Sequence, residues 1–133
     1  MPSVAIVGAS GDPERYSHQA ILRYLAQGWT VWPIHPKGGT IAGLPVLTRI
    51  EDLPGRPDIV CLYVNPQIGL GMLEAIAAAN PMLLWLNPGA DGPAIAVPAR
   101  AKGLRVVEAC TLVVQAQGDP LKIALERLHP PGH

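Results

Sequence analysis

The sequence predicts one α/β domain: an open, doubly wound parallel sheet of five to six strands between two layers of helices. Three observations predict it. Short apolar runs alternate with segments of helical periodicity along the 133 residues. Apolar residues make up 49% of the chain and charged residues only 15%, the balance expected of strands buried on both faces. The first apolar run, Val4-Ala5-Ile6-Val7, enters the small-residue loop Gly8-Ala9-Ser10-Gly11 just ahead of a helical segment. A strand that feeds a phosphate-holding turn has this pattern, because small residues let backbone N–H groups approach an anion.

Each element follows from local chemistry. Residues 3–8 form the first strand. Residues 17–27 form the first helix, with Ile21, Leu22 and Leu25 on its apolar face and Gly28 placed to stop it. Residues 29–34 form the second strand, which the loop His35-Pro36-Lys37-Gly38-Gly39 cannot continue. Residues 45–47 suit a short edge strand, and 58–64 form a continuous apolar fourth strand. Asn65-Pro66 then supplies an N-cap and a proline at the first helical position. Ile68, Met72, Leu73 and Ile76 follow at helical spacing on one face. Residues 82–86 form the fifth strand and 91–102 a helix in which Pro98 belongs to the first turn or makes a kink. Val106 and Val107 lie in a last strand, and a terminal helix begins at Asp119-Pro120. The domain is expected over residues 3–128, with 129–133 as a frayed tail. Right-handed crossovers give the order 3-2-1-4-5, with room for a sixth strand, and a switch point between strands one and four. This is a Rossmann-like, three-layer αβα arrangement.

Composition excludes several functions. The formal net charge is zero, which argues against a broad nucleic-acid or membrane-surface footprint. No apolar stretch approaches the roughly 20 residues that span a bilayer, and no leader-like segment precedes the first strand. A cytoplasmic location is expected. Cys61 and Cys110 offer neither a disulfide framework nor metal-ligand spacing, so no metal is expected.

The end of the second strand bears on which nucleotide would bind. NAD-binding domains usually carry an Asp or Glu there for the ribose hydroxyls. This chain has His35-Pro36-Lys37 and no carboxylate until Glu51, and Gly8-Ala9-Ser10-Gly11 lacks the G-x-G-x-x-G spacing. A cation at this position suits a ligand with an additional phosphate on or near the ribose. Coenzyme A and NADP both qualify, and a solvated loop lysine is the alternative reading of Lys37.

A resemblance runs through these same residues. Val7-Gly8-Ala9-Ser10, Pro13-Glu14-Arg15 with Ser17, Pro33 with Pro36-Lys37, Gly43 with Pro45-Val46, Asp52-Leu53-Pro54, Asp58-Ile59-Val60 and Trp85-Leu86 occur in that order. Together they resemble the small stand-alone CoA-binding proteins of bacteria, and are similar to the CoA-binding domain of the succinyl-CoA ligase alpha subunit. The resemblance implies a Rossmann-like fold that holds CoA or an acyl-CoA by its 3′-phospho-ADP end. It implies Gly8, Ala9 and Ser10 as the pyrophosphate loop, with Ser17 at the helix start meeting a phosphate. It also implies Pro36 and Lys37 as the strand-two contact, with Lys37 facing the 3′-phosphate, and Arg15 as a further basic position. Asn65 belongs to the fourth-strand loop, where Val64 and Pro66 would cover the adenine.

The leading expectation is a binding or regulatory module that is not an enzyme. The alternatives are an NADP-binding oxidoreductase-like protein and a subunit whose protein partner supplies catalysis. His35 lies in a candidate ligand loop, Cys61 inside a strand and Cys110 at the carboxyl edge of the sheet. A disulfide between Cys110 and the CoA thiol is conceivable there.

Overall fold

A computed structural model of the chain describes residues 2–128; the tail expected at 129–133 lies outside them. The first apolar run forms β1 (Ser3–Val7), every residue of it buried. Alternation along this strand sends Val4 and Ile6 to one face and Ala5 and Val7 to the other. Helix α1 (Tyr16–Ala26) follows and buries Ala20, Ile21 and Tyr24. Then come β2 (Thr30–Ile34) and a hairpin of β3 (Thr40–Ile41) and β4 (Leu44–Pro45). The second half of the chain runs β5 (Ile59–Leu62), α2 (Pro66–Leu70), α3 (Leu73–Ala79) and β6 (Leu83–Leu86). It continues with α4 (Pro93–Ala101), β7 (Val106–Glu108), α5 (Thr111–Gln117) and α6 (Pro120–Leu128).

The main sheet has five parallel strands in the order β2-β1-β5-β6-β7. Its switch point lies between β1 and β5, as expected. Helices α1, α5 and α6 pack Tyr24, Val114 and Ala124 against one face, over Ile6, Cys61 and Trp85. Helices α3 and α4 pack Ile76, Ile95 and Ala99 on the other, over Val7, Leu62 and Leu84. Burying a large apolar side chain contributes about 1.5–3 kcal/mol, so this doubly covered sheet is the chief stabilising feature. Trp85 is wholly buried, and its indole N–H donates to the Ala109 carbonyl at 2.9 Å.

Three expectations are corrected. The edge strand at 45–47 shrinks to a single parallel bridge, Leu47 beside Ile34. Leu47 N–H donates to Pro33 and its carbonyl accepts from His35, both at 2.9 Å. The next pair of ladder bonds would need donors from Pro33 and Pro45, and proline has none. The helical segment after Asn65 is broken at Gly71 into α2 and α3, so Ile68 is exposed while Leu73 and Ile76 are buried. The helix expected at 91–102 begins at Pro93 and runs through Pro98, leaving the Ala94 carbonyl without its intrahelical donor. Helix α5 is an addition to the expected elements: its Thr-Leu-Val-Val start is rich in β-branched residues that weakly favour strands.

Two glycines set the approach of elements around the carboxyl ends of the strands. Gly69 lets α2 lie close on α4, since a Cβ there would sit 2.7 Å from Ile95 Cδ1. Gly8 turns the chain out of β1 with φ +84°, and a Cβ would meet Val64 Cγ1 at 3.1 Å and the Tyr63 backbone carbon at 3.2 Å. Gly8→Ala is therefore expected to destabilise the fold by about 2–3 kcal/mol, from left-handed strain and overpacking together. Urea unfolding with an unchanged m-value and a lower midpoint is the expected result.

Candidate ligand-binding cleft

Register brings three strand ends together: Val7 pairs with Ile34 on one side and with Leu62 on the other. The loops beyond them enclose a cleft of about 1020 Å³. Of the residues that the sequence singles out, Gly8, Ala9, Ser10, Arg15, Ser17, Pro36, Lys37 and Val64 all line it. Asn65 and Pro66 do not. They border a separate depression of about 470 Å³ with Gln67, Leu70 and Ala94. The Asn65 Oδ1 accepts the Ile68 N–H at 2.9 Å as the cap of α2, and Pro66 opens that helix, so both are committed to starting α2 outside the cleft.

The small-residue loop is built differently from expectation. The amides of Gly8 and Ala9 both donate to the Ile34 carbonyl, at 3.1 and 3.2 Å. They tie the loop to β2 and are not free for an anion. The amides of Ser10 and Gly11 make no hydrogen bond among the described residues. Ser10 Oγ accepts the Asp12 N–H, and the Ser10 carbonyl accepts from Nδ1 of His18 at 2.9 Å. Helix α1 begins without a side-chain cap at Arg15, beside the cleft that Arg15, Tyr16 and Ser17 line, and an uncapped first turn carries a partial positive charge. Ser17, in that first turn, is buried at the cleft wall.

Across the cleft, Lys37 stands in the turn after β2. It is exposed, and neither it nor Arg15 makes an ion pair among the described residues. The one carboxylate of the lining is Glu14. Tyr16 and Ile68, 65% and 53% exposed, bring apolar surface to the same cleft. Sequence reasoning gave Tyr16 no role and placed Ile68 on the apolar face of a helix, although an aromatic and a branched apolar residue in the first turns of two helices were visible signals. It also missed Ile41, in the first strand of the hairpin, and Thr48, beyond it, both of which line the cleft. Among the described residues, no group of three His, Cys, Asp or Glu side chains could hold a metal ion, and no helix is long and apolar enough to cross a membrane.

The sequence profile of the CoA binding domain matches residues 2–116. The chain belongs to the CoA-binding domain family. A curated relative, the uncharacterised protein YneT of Bacillus subtilis, is 23% identical over 114 residues, which are 85% of this domain and 84% of that protein. The solved structure of cell-free ID.343 from Thermus thermophilus is 28% identical, with a TM-score of 0.79 over 87% of this domain and 88% of that chain. The domain is also similar to part of the dinucleotide-forming acetyl-coenzyme A synthetase 1 of Ca. Korarchaeum cryptofilum, solved with phosphate and ADP. There the TM-score is 0.68 at 24% identity, over 79% of this domain and 25% of that enzyme, a likeness of fold.

Beneath the cleft, the domain keeps a polar cluster inside its core. Cys61 Sγ lies 3.3 Å from Thr111 Oγ1 and accepts from Asn87 Nδ2 at 3.1 Å. The side-chain Oδ1 of Asn87 accepts the Thr111 amide at 2.9 Å, fixing the start of α5. Burial pushes the Cys61 thiol up to about 11, against the partial offset of its hydrogen bonds to Thr111 and Asn87. Burial likewise raises Tyr63, whose ring reaches from the cleft wall toward this cluster, and Tyr24. Cys110 is half-buried at the start of α5 and is not part of the cleft lining. A neutral-pH thiol reagent is therefore expected to label Cys110 first and to reach Cys61 only on unfolding. Peptide mapping after timed labelling checks this, and equal labelling of the two in the folded domain contradicts it.

Proposed function

We propose that the cleft binds coenzyme A or an acyl-CoA by its 3′-phospho-ADP moiety, as a binding or regulatory module without chemistry of its own. Membership of the CoA-binding domain family supports the ligand class. The observation that carries the finer reading is Lys37, a cation without an ion pair among the described residues where β2 ends, in place of the carboxylate that NAD-binding domains use for the ribose hydroxyls. The pyrophosphate would meet the amides of Ser10 and Gly11 and the first turn of α1, with Ser17 beside it. Tyr16, Val64 and Ile68 offer apolar surface for the adenine. The cleft is large enough for a nucleotide.

The absence of chemistry is inferred from the lining. Among the described residues no two side chains of the cleft are hydrogen-bonded to each other, so no acid–base pair is preassembled. The interior thiol lies outside the lining and is held protonated.

Lys37→Ala is the test. A charge-assisted contact contributes about 1.5–3 kcal/mol, so CoA should bind roughly 10- to 100-fold more weakly. Dephospho-CoA, which has no 3′-phosphate, should bind both forms alike. Calorimetric titration of wild type and variant with each ligand isolates the contact. Equal weakening of both ligands would assign Lys37 to loop support, and no weakening of either would leave it a solvated lysine.

A further inference from the structure

The turn that carries Lys37 is held by a residue two positions before it. His35 is half-buried, lines the cleft and makes three hydrogen bonds. Its N–H donates to Leu47 at 2.9 Å, and its carbonyl accepts the Gly38 N–H at 3.0 Å, closing a β-turn over Pro36 and Lys37. The third bond comes from the side chain: Nδ1 accepts the Lys37 N–H at 3.0 Å. A backbone amide can only donate, so Nδ1 is unprotonated here and the neutral ring carries its hydrogen on Nε2. The imidazole thus does what an Asn or Asp side chain does in an Asx-turn, accepting from the amide two residues on. Unlike those side chains, it loses the acceptor when protonated.

We propose that His35 is the positioning residue of the anion-binding turn: its Nδ1 sets the Lys37 backbone, and so the placement of the Lys37 ammonium, and protonation of the ring releases both. The proposal rests on the reading of the cleft as a CoA site. In the imidazolium both ring nitrogens bear hydrogens, so Nδ1–H would oppose the Lys37 N–H. Pro36 adds no donor, and the two residues after Lys37 are glycines without side chains, Gly38 and Gly39, at φ +64° and +98°. No other side chain of the turn therefore replaces the acceptor, and the released N–H is left to solvent. The other titratable groups of the cleft are Glu14, Arg15 and Tyr16 from the loop and first turn of α1, Lys37 itself, and Tyr63 from the end of β5. None of their side chains is hydrogen-bonded to the imidazole. A charge gained on His35 would itself attract a phosphate, so the two effects of protonation oppose each other and the sign of the pH dependence separates them.

The experiment titrates CoA into wild type, His35→Asn and His35→Leu at pH 7.5 and 5.5, with melting curves to confirm folding. Asn keeps an acceptor at the matching position and does not titrate; Leu keeps neither property. At pH 7.5, His35→Asn should bind within about twofold of wild type and His35→Leu roughly 3- to 10-fold more weakly. On moving to pH 5.5, wild type should lose several-fold more affinity than His35→Asn, because titration of the CoA phosphate is common to both. Should the leucine variant fold poorly, the pH comparison of wild type with His35→Asn decides alone. Parallel pH profiles, or wild type tightening relative to His35→Asn, would overturn the proposal while leaving the CoA site in place. Failure of wild type to bind CoA at pH 7.5 would overturn both.

Discussion

The cleft depends on one shared acceptor. The carbonyl of Ile34, at the last position of β2, receives the amides of both Gly8 and Ala9. These bonds stop the loop after β1 from following its strand direction and lay it against the end of β2. The turn of Gly8 then passes close under Tyr63 and Val64 at the end of β5. The ends of three strands are thereby held in fixed relation, and the residues that follow each of them face a common space. The next two amides, of Ser10 and Gly11, are left without partners among the described residues, close to an uncapped helix start.

This arrangement is how a chain of zero net charge would hold the anionic ligand proposed for it. The favourable field is local and comes from backbone dipoles and two cations that make no ion pair among the described residues, not from a basic surface. A field of this kind selects by geometry. It favours a ligand whose phosphates are spaced to reach the loop, the helix start and the β2 turn together. Placing Lys37 correctly therefore matters as much as its charge, and that gives significance to the side-chain bond that holds its amide.

Much of the fold was legible because its signals are local. Val4 to Val7, Ile59 to Leu62 and Leu83 to Leu86 are apolar runs with turn residues beyond them, and alternation with helices leaves little choice of topology. Local signals did not decide the state of residues that depend on a distant partner. Gly8 and Ala9 supply the expected loop, but whether their amides are free depends on where Ile34 lies in the register. Pro45 is compatible with an edge strand by itself; opposite Pro33 it leaves the ladder without donors. Asn65 carries a helix-cap signal that the structure bears out, and that same role keeps it out of the cleft. Helix α5 is started by Thr111, whose amide is tied to Asn87 across the sheet, a contact with no trace in local propensity.

The central claim is that this cleft recognises the 3′-phospho-ADP end of CoA rather than a nicotinamide dinucleotide. Thermal unfolding of the unaltered chain with CoA, NAD or NADP tests it most directly. A ligand present at 100 times its dissociation constant adds about 2.7 kcal/mol of stability, which for a domain of this size raises the melting temperature by several degrees. The account predicts that rise with CoA and none at the same concentration of NAD or NADP. An equal rise with NADP, or none with CoA up to millimolar concentration, would contradict it.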